Sequence, residues 1–189
     1  VNDFVTPGVR NQIINSNELS FIHRGQILKL RLSGYLTNIY NATEISRYYV
    51  DLAAPQGTTY NTLVTEALSG ANKRYMGLEL GADIKVTPTF NIIAAAALGE
   101  YKYTNNPNVV AYDDINQFRG EDFWLSKAQI KDYKVAGTPQ SAYSLGVKYN
   151  SPKYWWIGAS ANYLMDNYLD FSALNKTTRL YTDFNYEVD

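Results

Sequence analysis

The sequence predicts an all-β protein of long antiparallel strands, on three observations: evenly spaced tight turns, strict period-two alternation, and runs longer than globular strands. Arg24-Gly25-Gln26, Thr87-Pro88-Thr89 and Asn150-Ser151-Pro152-Lys153 each separate two alternating segments. Gly25 and Pro88 lie 63 residues apart, and Pro88 and Pro152 lie 64 apart. Long polar stretches connect the segments at their other ends, so the hairpins are closed tightly on one side and loosely on the other. A soluble sandwich usually spaces its strands by about 8 to 12 residues, with turns of similar length. Unequal ends are what a transmembrane β-barrel shows, with short periplasmic turns and long extracellular loops.

Six strands are expected, at residues 17–24, 26–40, 73–86, 90–104, 140–149 and 154–165. In the second, Lys29, Arg31, Ser33, Tyr35 and Thr37 alternate with Leu28, Leu30, Leu32, Gly34 and Leu36. The third sets Lys73, Tyr75, Gly77, Glu79, Gly81, Asp83 and Lys85 against Met76, Leu78, Leu80, Ala82, Ile84 and Val86. The fourth is less clear at Ile92 to Leu98, which is apolar on both faces and, read alone, is compatible with a buried helix. Strand is preferred because Phe90 follows the Pro88 turn directly after a clean strand, and Gly99, Tyr101 and Tyr103 continue in strand-like composition. The fifth opposes Ala142, Ser144, Gly146 and Lys148 to Tyr143, Leu145, Val147 and Tyr149. The sixth opposes Trp156, Gly158, Ser160 and Asn162 to Trp155, Ile157, Ala159, Ala161 and Tyr163.

Period two means unlike surroundings on the two faces. A tilted membrane strand needs roughly 9 to 11 residues to cross the hydrocarbon, whereas globular strands commonly run about 5 to 6. These runs are long enough to cross, with the leucine face outward and Lys29, Arg31, Glu79, Asp83, Lys148 and Asn162 toward a wet lumen. Six strands fall short of the eight in the smallest closed bacterial barrels, so residues 1–189 read as one partial barrel domain.

Composition narrows the partners. The chain is 46% hydrophobic with a mean hydropathy of -0.32, and no apolar run approaches the ~20 residues of a membrane helix. A net charge of -1 supplies no basic patch able to neutralise many phosphates, which argues against a nucleic-acid partner. Seventeen Tyr and three Trp suit the aromatic belts at membrane interfaces, with Tyr154, Trp155 and Trp156 beside the Pro152 turn in the periplasmic one. With no cysteine, disulfides, thiolate metal sites and cysteine nucleophiles are excluded. Residues 1–10 do not have the charged and then apolar regions of a signal peptide.

No enzyme is expected, and no cofactor. His23 is the sole histidine, with no acid-base partner near it in sequence. Gly70-Ala71-Asn72-Lys73-Arg74 does not carry the glycines and hydroxyl of a phosphate loop. Asp113-Asp114 and Glu121-Asp122 do not match a calcium loop and read as solvated.

Several segments resemble the late barrel of TonB-dependent outer-membrane receptors of the Bacteroidota type. They are Tyr48-Tyr49-Val50-Asp51, Asn72-Lys73-Arg74-Tyr75-Met76-Gly77-Leu78-Glu79-Leu80-Gly81, and Ala136-Gly137-Thr138-Pro139-Gln140-Ser141-Ala142-Tyr143-Ser144-Leu145-Gly146. Lys153-Tyr154-Trp155-Trp156 and Asn167-Tyr168-Leu169-Asp170-Phe171 follow in the same order. The resemblance implies a 22-stranded barrel in the outer membrane of a Gram-negative bacterium, plugged by an N-terminal domain. It also implies energised uptake of a scarce nutrient such as a metal chelate, glycan or peptide. The partners implied are outer-membrane lipid, the remainder of the receptor with its plug, TonB, and a surface lipoprotein as a further candidate. Neither a plug, a TonB box nor a final strand ending in an aromatic residue is found in this sequence.

Residues 105–139 form the longest connection and the best place for ligand contacts. Tyr112, Asp113, Asp114, Arg119, Phe123 and Trp124 are the candidate ligand-binding residues, because aromatics interleaved with charges suit sugars, peptides or chelates. Residues 126–132 fit a short helical turn. The competing reading is a small structural or adhesive barrel, or a soluble β-sheet protein without transport activity.

Overall fold

The computed structural model describes residues 6, 8–53, 59–113 and 124–168. Among the described residues there are eight strands: β1 Ile13–Arg24, β2 Leu28–Ala53, β3 Thr59–Lys85, β4 Phe90–Tyr103, β5 Asn108–Asp113, β6 Trp124–Lys127, β7 Pro139–Asn150 and β8 Trp156–Asn167. All pairings are antiparallel, and the described residues include no helix. The sheet runs β1-β2-β3-β4-β7-β8, with β5 added to β3 and β6 to β5. It is open, with β1 and β8 at its edges.

The three tight turns close the same end of the sheet, each by a local device. Gly25 donates to the Leu28 carbonyl at 2.8 Å. A Cβ at Gly25 would stand 2.9 Å from His23 Nε2 and 3.0 Å from the Leu28 oxygen, so any larger residue would have to push the His23 ring aside. At Pro88, the Thr87 hydroxyl accepts the Phe90 amide at 3.0 Å and shapes the loop. The Ser151 amide donates to the Trp155 carbonyl at 2.8 Å, and Tyr154 takes the left-handed conformation, φ 63°. Neighbouring turns are stitched together, with the Lys85 amide on the Ile27 carbonyl and the Asn150 amide on the Thr89 carbonyl.

Two expectations are corrected. The connection after β4 is not irregular: β5 and β6 lie within it, raising six strands to eight. The short apolar run Val109-Val110-Ala111 is buried on β3, and burial of this kind leaves no alternation to read. Residues 126–132 make no helical turn. They finish β6 and pass into a turn in which the Tyr133 amide reaches the Ile130 carbonyl at 3.0 Å. In addition, β2 and β3 run on for 26 and 27 residues, well past the expected ends. Residues 90–98 are strand, as the hairpin context required.

Beyond the tight-turn half, the sheet changes partners. β3 pairs with β4 over residues 73–85 and with β5 over residues 64–69. At the junction β2 and β3 slip register around Asn41 (φ 57°) and Gly70 (φ 73°), a bulge that turns the upper hairpin. Asparagines complete the broken ladder there. Asn72 Oδ1 accepts the Asn41 amide, Asn105 Oδ1 accepts the Asn72 amide, and Asn105 Nδ2 donates to the Gly70 carbonyl. Above this junction lies the buried core of Ala42, Leu68, Ala71, Val109, Ala128 and Ile130.

A similar exchange occurs on the other edge of β4, which pairs with β7 only as far as Leu98. Residues 133–135 then take over, with the Tyr103 amide on the Tyr133 carbonyl and the Val135 amide on the Tyr101 carbonyl. Gln140, 3% exposed, bridges the gap with its side chain. Its Oε1 accepts the Tyr101 amide at 3.2 Å and its Nε2 donates to the Tyr101 carbonyl at 3.0 Å. A primary amide mimics one peptide unit, so the ladder continues without a strand.

Two measurable consequences follow. Gln140→Leu leaves the Tyr101 amide without an acceptor and should cost about 1–3 kcal/mol. Urea unfolding would show the loss, and amide exchange should quicken at Tyr101 and Val135 while the β1–β2 hairpin is unchanged. Gly77→Ala should also destabilise, by roughly 1–3 kcal/mol. Its Cβ would meet the Leu98 carbonyl oxygen at 2.5 Å and the Tyr35 hydroxyl at 2.7 Å. Gly81, opposite strand neighbours but with open space around its Cβ position, should accept alanine in the same assay.

Candidate functional site

Cross-strand register gathers the apolar residues onto one face. Phe21, Leu32, Leu80, Ala96, Tyr143 and Tyr163 form one row running through six strands. His23, Leu30, Ala82, Ala94, Leu145 and Ala161 form the next, and Leu28, Ile84, Ile92, Val147 and Ala159 the one after. In an antiparallel pair, opposed residues project to the same side. Protein does not cover this side: Leu78 is 57% exposed, Leu145 57% and Ile157 63%. The band occupies residues 28–36, 76–86, 90–98, 141–149 and 157–165, nine to eleven residues on each strand. A continuous apolar surface of this breadth is not what a monomer in water leaves open.

The band has distinct margins. At the tight-turn end Phe90 opposes Tyr149, and the Tyr149 ring lies 5.5 Å from that of Trp155. At the other end the same face turns abruptly polar, with Asn15, Asn38, Arg74, Lys102 and Lys134 in one row. Glu100, one step nearer the band, contacts Lys134 at 3.2 Å and Lys102 at 3.3 Å. Arg74 Nε donates to Asn38 Oδ1 at 3.3 Å.

The opposite face carries the polar residues of the alternation. An open trough of about 570 Å³ lies on it, lined by Arg31, Ser33, Glu79, Ser144 and Asn162 and by apolar Leu164 and Ala95 to Ala97 beside Gly81, and the polar groups are tied to each other. Arg31 donates to Glu18 at 3.0 Å and to Ser33 at 3.1 Å, while Ser20 donates to Glu18 at 2.8 Å. Farther along, the Tyr35 and Tyr101 hydroxyls meet at 2.7 Å, and the Tyr103 hydroxyl donates to Glu44, which also pairs with Lys73. Hydroxyls, amides and fixed charges can hold a hydrated solute or a polar segment of chain. Among the described residues no three His, Cys, Asp or Glu side chains converge as metal ligands.

The ligand candidates of the long connection are only partly placed. The backbones of Tyr112 and Asp113 finish β5 opposite Thr65 and Val64, and Trp124 opens β6 opposite Ala111, so the three meet at one tip of the sheet. Asp114, Arg119 and Phe123 lie outside the described residues. Sequence reasoning missed the cationic row. The signal was present for Arg74, which falls on the leucine side of the alternation in β3, and for Lys102 in β4. For Lys134 there was none, because its place beside Lys102 depends on the fold of the connection. The chain matches no family model, no curated protein and no solved structure.

Proposed function

We propose that this sheet is a section of an outer-membrane β-barrel, its apolar band against lipid and its polar trough facing the lumen of a TonB-dependent nutrient receptor. The observation that carries the membrane part is the band itself. Five adjacent strands, β2, β3, β4, β7 and β8, present an uncovered apolar face nine to eleven residues tall, the length a tilted strand needs to cross hydrocarbon. The reverse face carries Arg31, Ser33, Glu79, Ser144 and Asn162 around an open trough, as the polar inside of a barrel would. Tight turns at one end, against the extended β2–β3 hairpin and the long connection after β4 at the other, suit the periplasmic and extracellular sides respectively.

The receptor class rests on the resemblance of segments such as 72–81 and 136–146 to late receptor strands. In that reading the barrel completes itself with further strands and a plug, and the nutrient enters past the long connections under TonB drive. Deleting the protein from its native host should then abolish energised uptake of one class of scarce solute. Uptake assays with metal chelates, glycans and peptides, with and without the proton gradient, test this. Unchanged, gradient-independent uptake of every class would reject the receptor.

Two predictions address the membrane part. Leu80→Arg should destabilise the protein in bilayers by about 2–4 kcal/mol, since Leu80 lies mid-band, while Gly81→Ser on the lumen face should change little. Unfolding of both variants from lipid vesicles provides the measurement, and equal effects would contradict lipid exposure. Residues 1–189 alone should not refold as a stable monomer in detergent. The unpaired edges of β1 and β8 would each expose a row of backbone groups, and in hydrocarbon every such group costs several kcal/mol. Mass and heat-modifiable gel mobility would report it, and a monodisperse, protease-resistant monomer would point to a small self-closing barrel.

A further inference from the structure

We infer that the polar face, at its tight-turn end, docks an acidic segment of a second, soluble polypeptide, held by Arg24, Lys29, Lys85 and Lys148 with Trp156 as the apolar contact. The inference rests on the reading of this face as a barrel lumen for the compartment it assigns to the partner, and on the sheet itself for the chemistry.

Register puts the four cations on one side, in the last two polar levels before the turns. Arg24 opposes Lys29 and Lys29 opposes Asp83, and that level continues through Ile93 and Gly146. Lys85, Asn91 and Lys148 form the next. Asp83 is the one carboxylate at either level among the described residues, and it is already engaged. Asn91 Nδ2 donates to its Oδ1 at 3.0 Å, and Lys29 Nζ stands 3.9 Å from Oδ2. Four positive charges against one negative leave a surplus of three, and exposed Lys153 adds another cation in the adjoining turn. The next acid on this face, Glu79, is displaced along β3 from Asp83 by about 13 Å. Glu18 is paired with Arg31 at 3.0 Å. The whole chain has a net charge of -1, so the basic character is segregated to this end. Arg24 and Lys29 are like charges directly opposed, an arrangement that destabilises a sheet and that an acidic partner relieves.

An apolar component accompanies the charge. Trp156 opposes Asn150 and so projects to the polar side, where the Lys148 ammonium lies 5.1 Å from its ring centroid. The indole is nevertheless 67% exposed. It has no lipid to enter on that side, unlike Trp155, whose ring meets Tyr149 at the margin of the apolar band. Ile22 and Ile93 stand exposed on the same face among the cations. Tryptophan and arginine are the residues that dominate protein-binding surfaces, and apolar groups interleaved with polar ones are their usual composition. A phosphate polymer would engage the charges and leave the isoleucines wet.

Breadth and position define the partner further. Five strand spacings separate Arg24 on β1 from Trp156 on β8, about 24 Å at ~4.8 Å each. One small anion cannot reach across that distance, whereas an extended segment of about seven residues can. The cations occupy the last two levels and the turn, while Arg31, one level farther in, is already neutralised by Glu18. The partner therefore approaches from the turn side, which in the barrel reading is the periplasm.

The test uses the native-length protein in a zwitterionic detergent and reads the binding of short fluorescent probes by anisotropy. The probes are a peptide of alternating Glu and Val, its counterpart of alternating Gln and Val, and a short single-stranded oligothymidylate. The Glu peptide should bind, and should lose most of its binding as salt rises from roughly 0.05 to 0.5 M. K85Q/K148Q should bind it about tenfold more weakly, and Trp156→Ala should weaken it several-fold with the salt dependence unchanged. Should the double variant fail to fold, the comparison of Glu and Gln peptides on the wild-type protein still decides. Equal binding of the two peptides, or binding of neither, would overturn the docking site. The membrane reading is judged separately by Leu80→Arg, so the two failures are distinguishable. Binding of the oligothymidylate as tight as that of the Glu peptide, complete displacement by millimolar citrate, or unchanged affinity in Trp156→Ala would show a general anion surface and also overturn the proposal.

Discussion

Continuous backbone pairing along β3 is the constraint on which the rest of the structure depends. β3 is 27 residues long, and β2 follows one edge for nearly its whole length while β4 and then β5 share the other. An unpaired backbone group away from water costs about as much as a lost hydrogen bond, so the exchange of partners must leave no gap. The asparagine junction meets that requirement, and Gln140 meets it again between β7 and residues 133–135. These buried or half-buried amides hold the upper hairpin and the folded connection in a fixed relation to the band below.

Two regions with different physics result. Above the junction, Val64, Ala67, Leu68, Val109 and Val110 are buried by protein, and cohesion there is ordinary core packing. Below it, leucines and isoleucines of equal hydrophobicity stand uncovered. In water that arrangement would be an aggregation surface. In a bilayer the same residues lose nothing by exposure, and cohesion falls to the hydrogen-bonded ladder and to cross-strand pairs.

Much of the lower region was legible because period two is directly visible when the two faces differ. Gly25, Pro88 and Pro152 marked the tight turns, and the alternation through Leu78 and Leu80 fixed which side chains share a face. The stretch Ile92 to Leu98 was readable only through its neighbours: Ile93, Ala95 and Ala97 put apolar side chains on the otherwise polar face, opposite Asp83, Gly81 and Glu79, and erase the pattern. The upper region was much less legible. Val109 to Ala111 is buried on both faces, so it has no period, and β6 is only four residues long. Gln140 looked like any polar residue at the start of a strand, because its role depends on where the preceding chain ends. Of the ligand candidates, proximity of Tyr112, Asp113 and Trp124 came from β5–β6 pairing, which composition does not encode.

The cationic row shows how register creates chemistry that no local motif contains. Arg74, Lys102 and Lys134 lie 28 and 32 residues apart in sequence, farther than any short ligand motif spans. They converge only because β3 and β4 share a hairpin and residues 133–135 replace β7 beside β4. Main-chain bonds hold that replacement in place, from the Asp132 amide to the Tyr103 carbonyl, from the Tyr103 amide to the Tyr133 carbonyl and from the Val135 amide to the Tyr101 carbonyl. Gln140 carries the ladder on at Tyr101 with its side chain. The placement of the third charge is therefore set by backbone pairing between segments distant in sequence, not by any local pattern around Lys134.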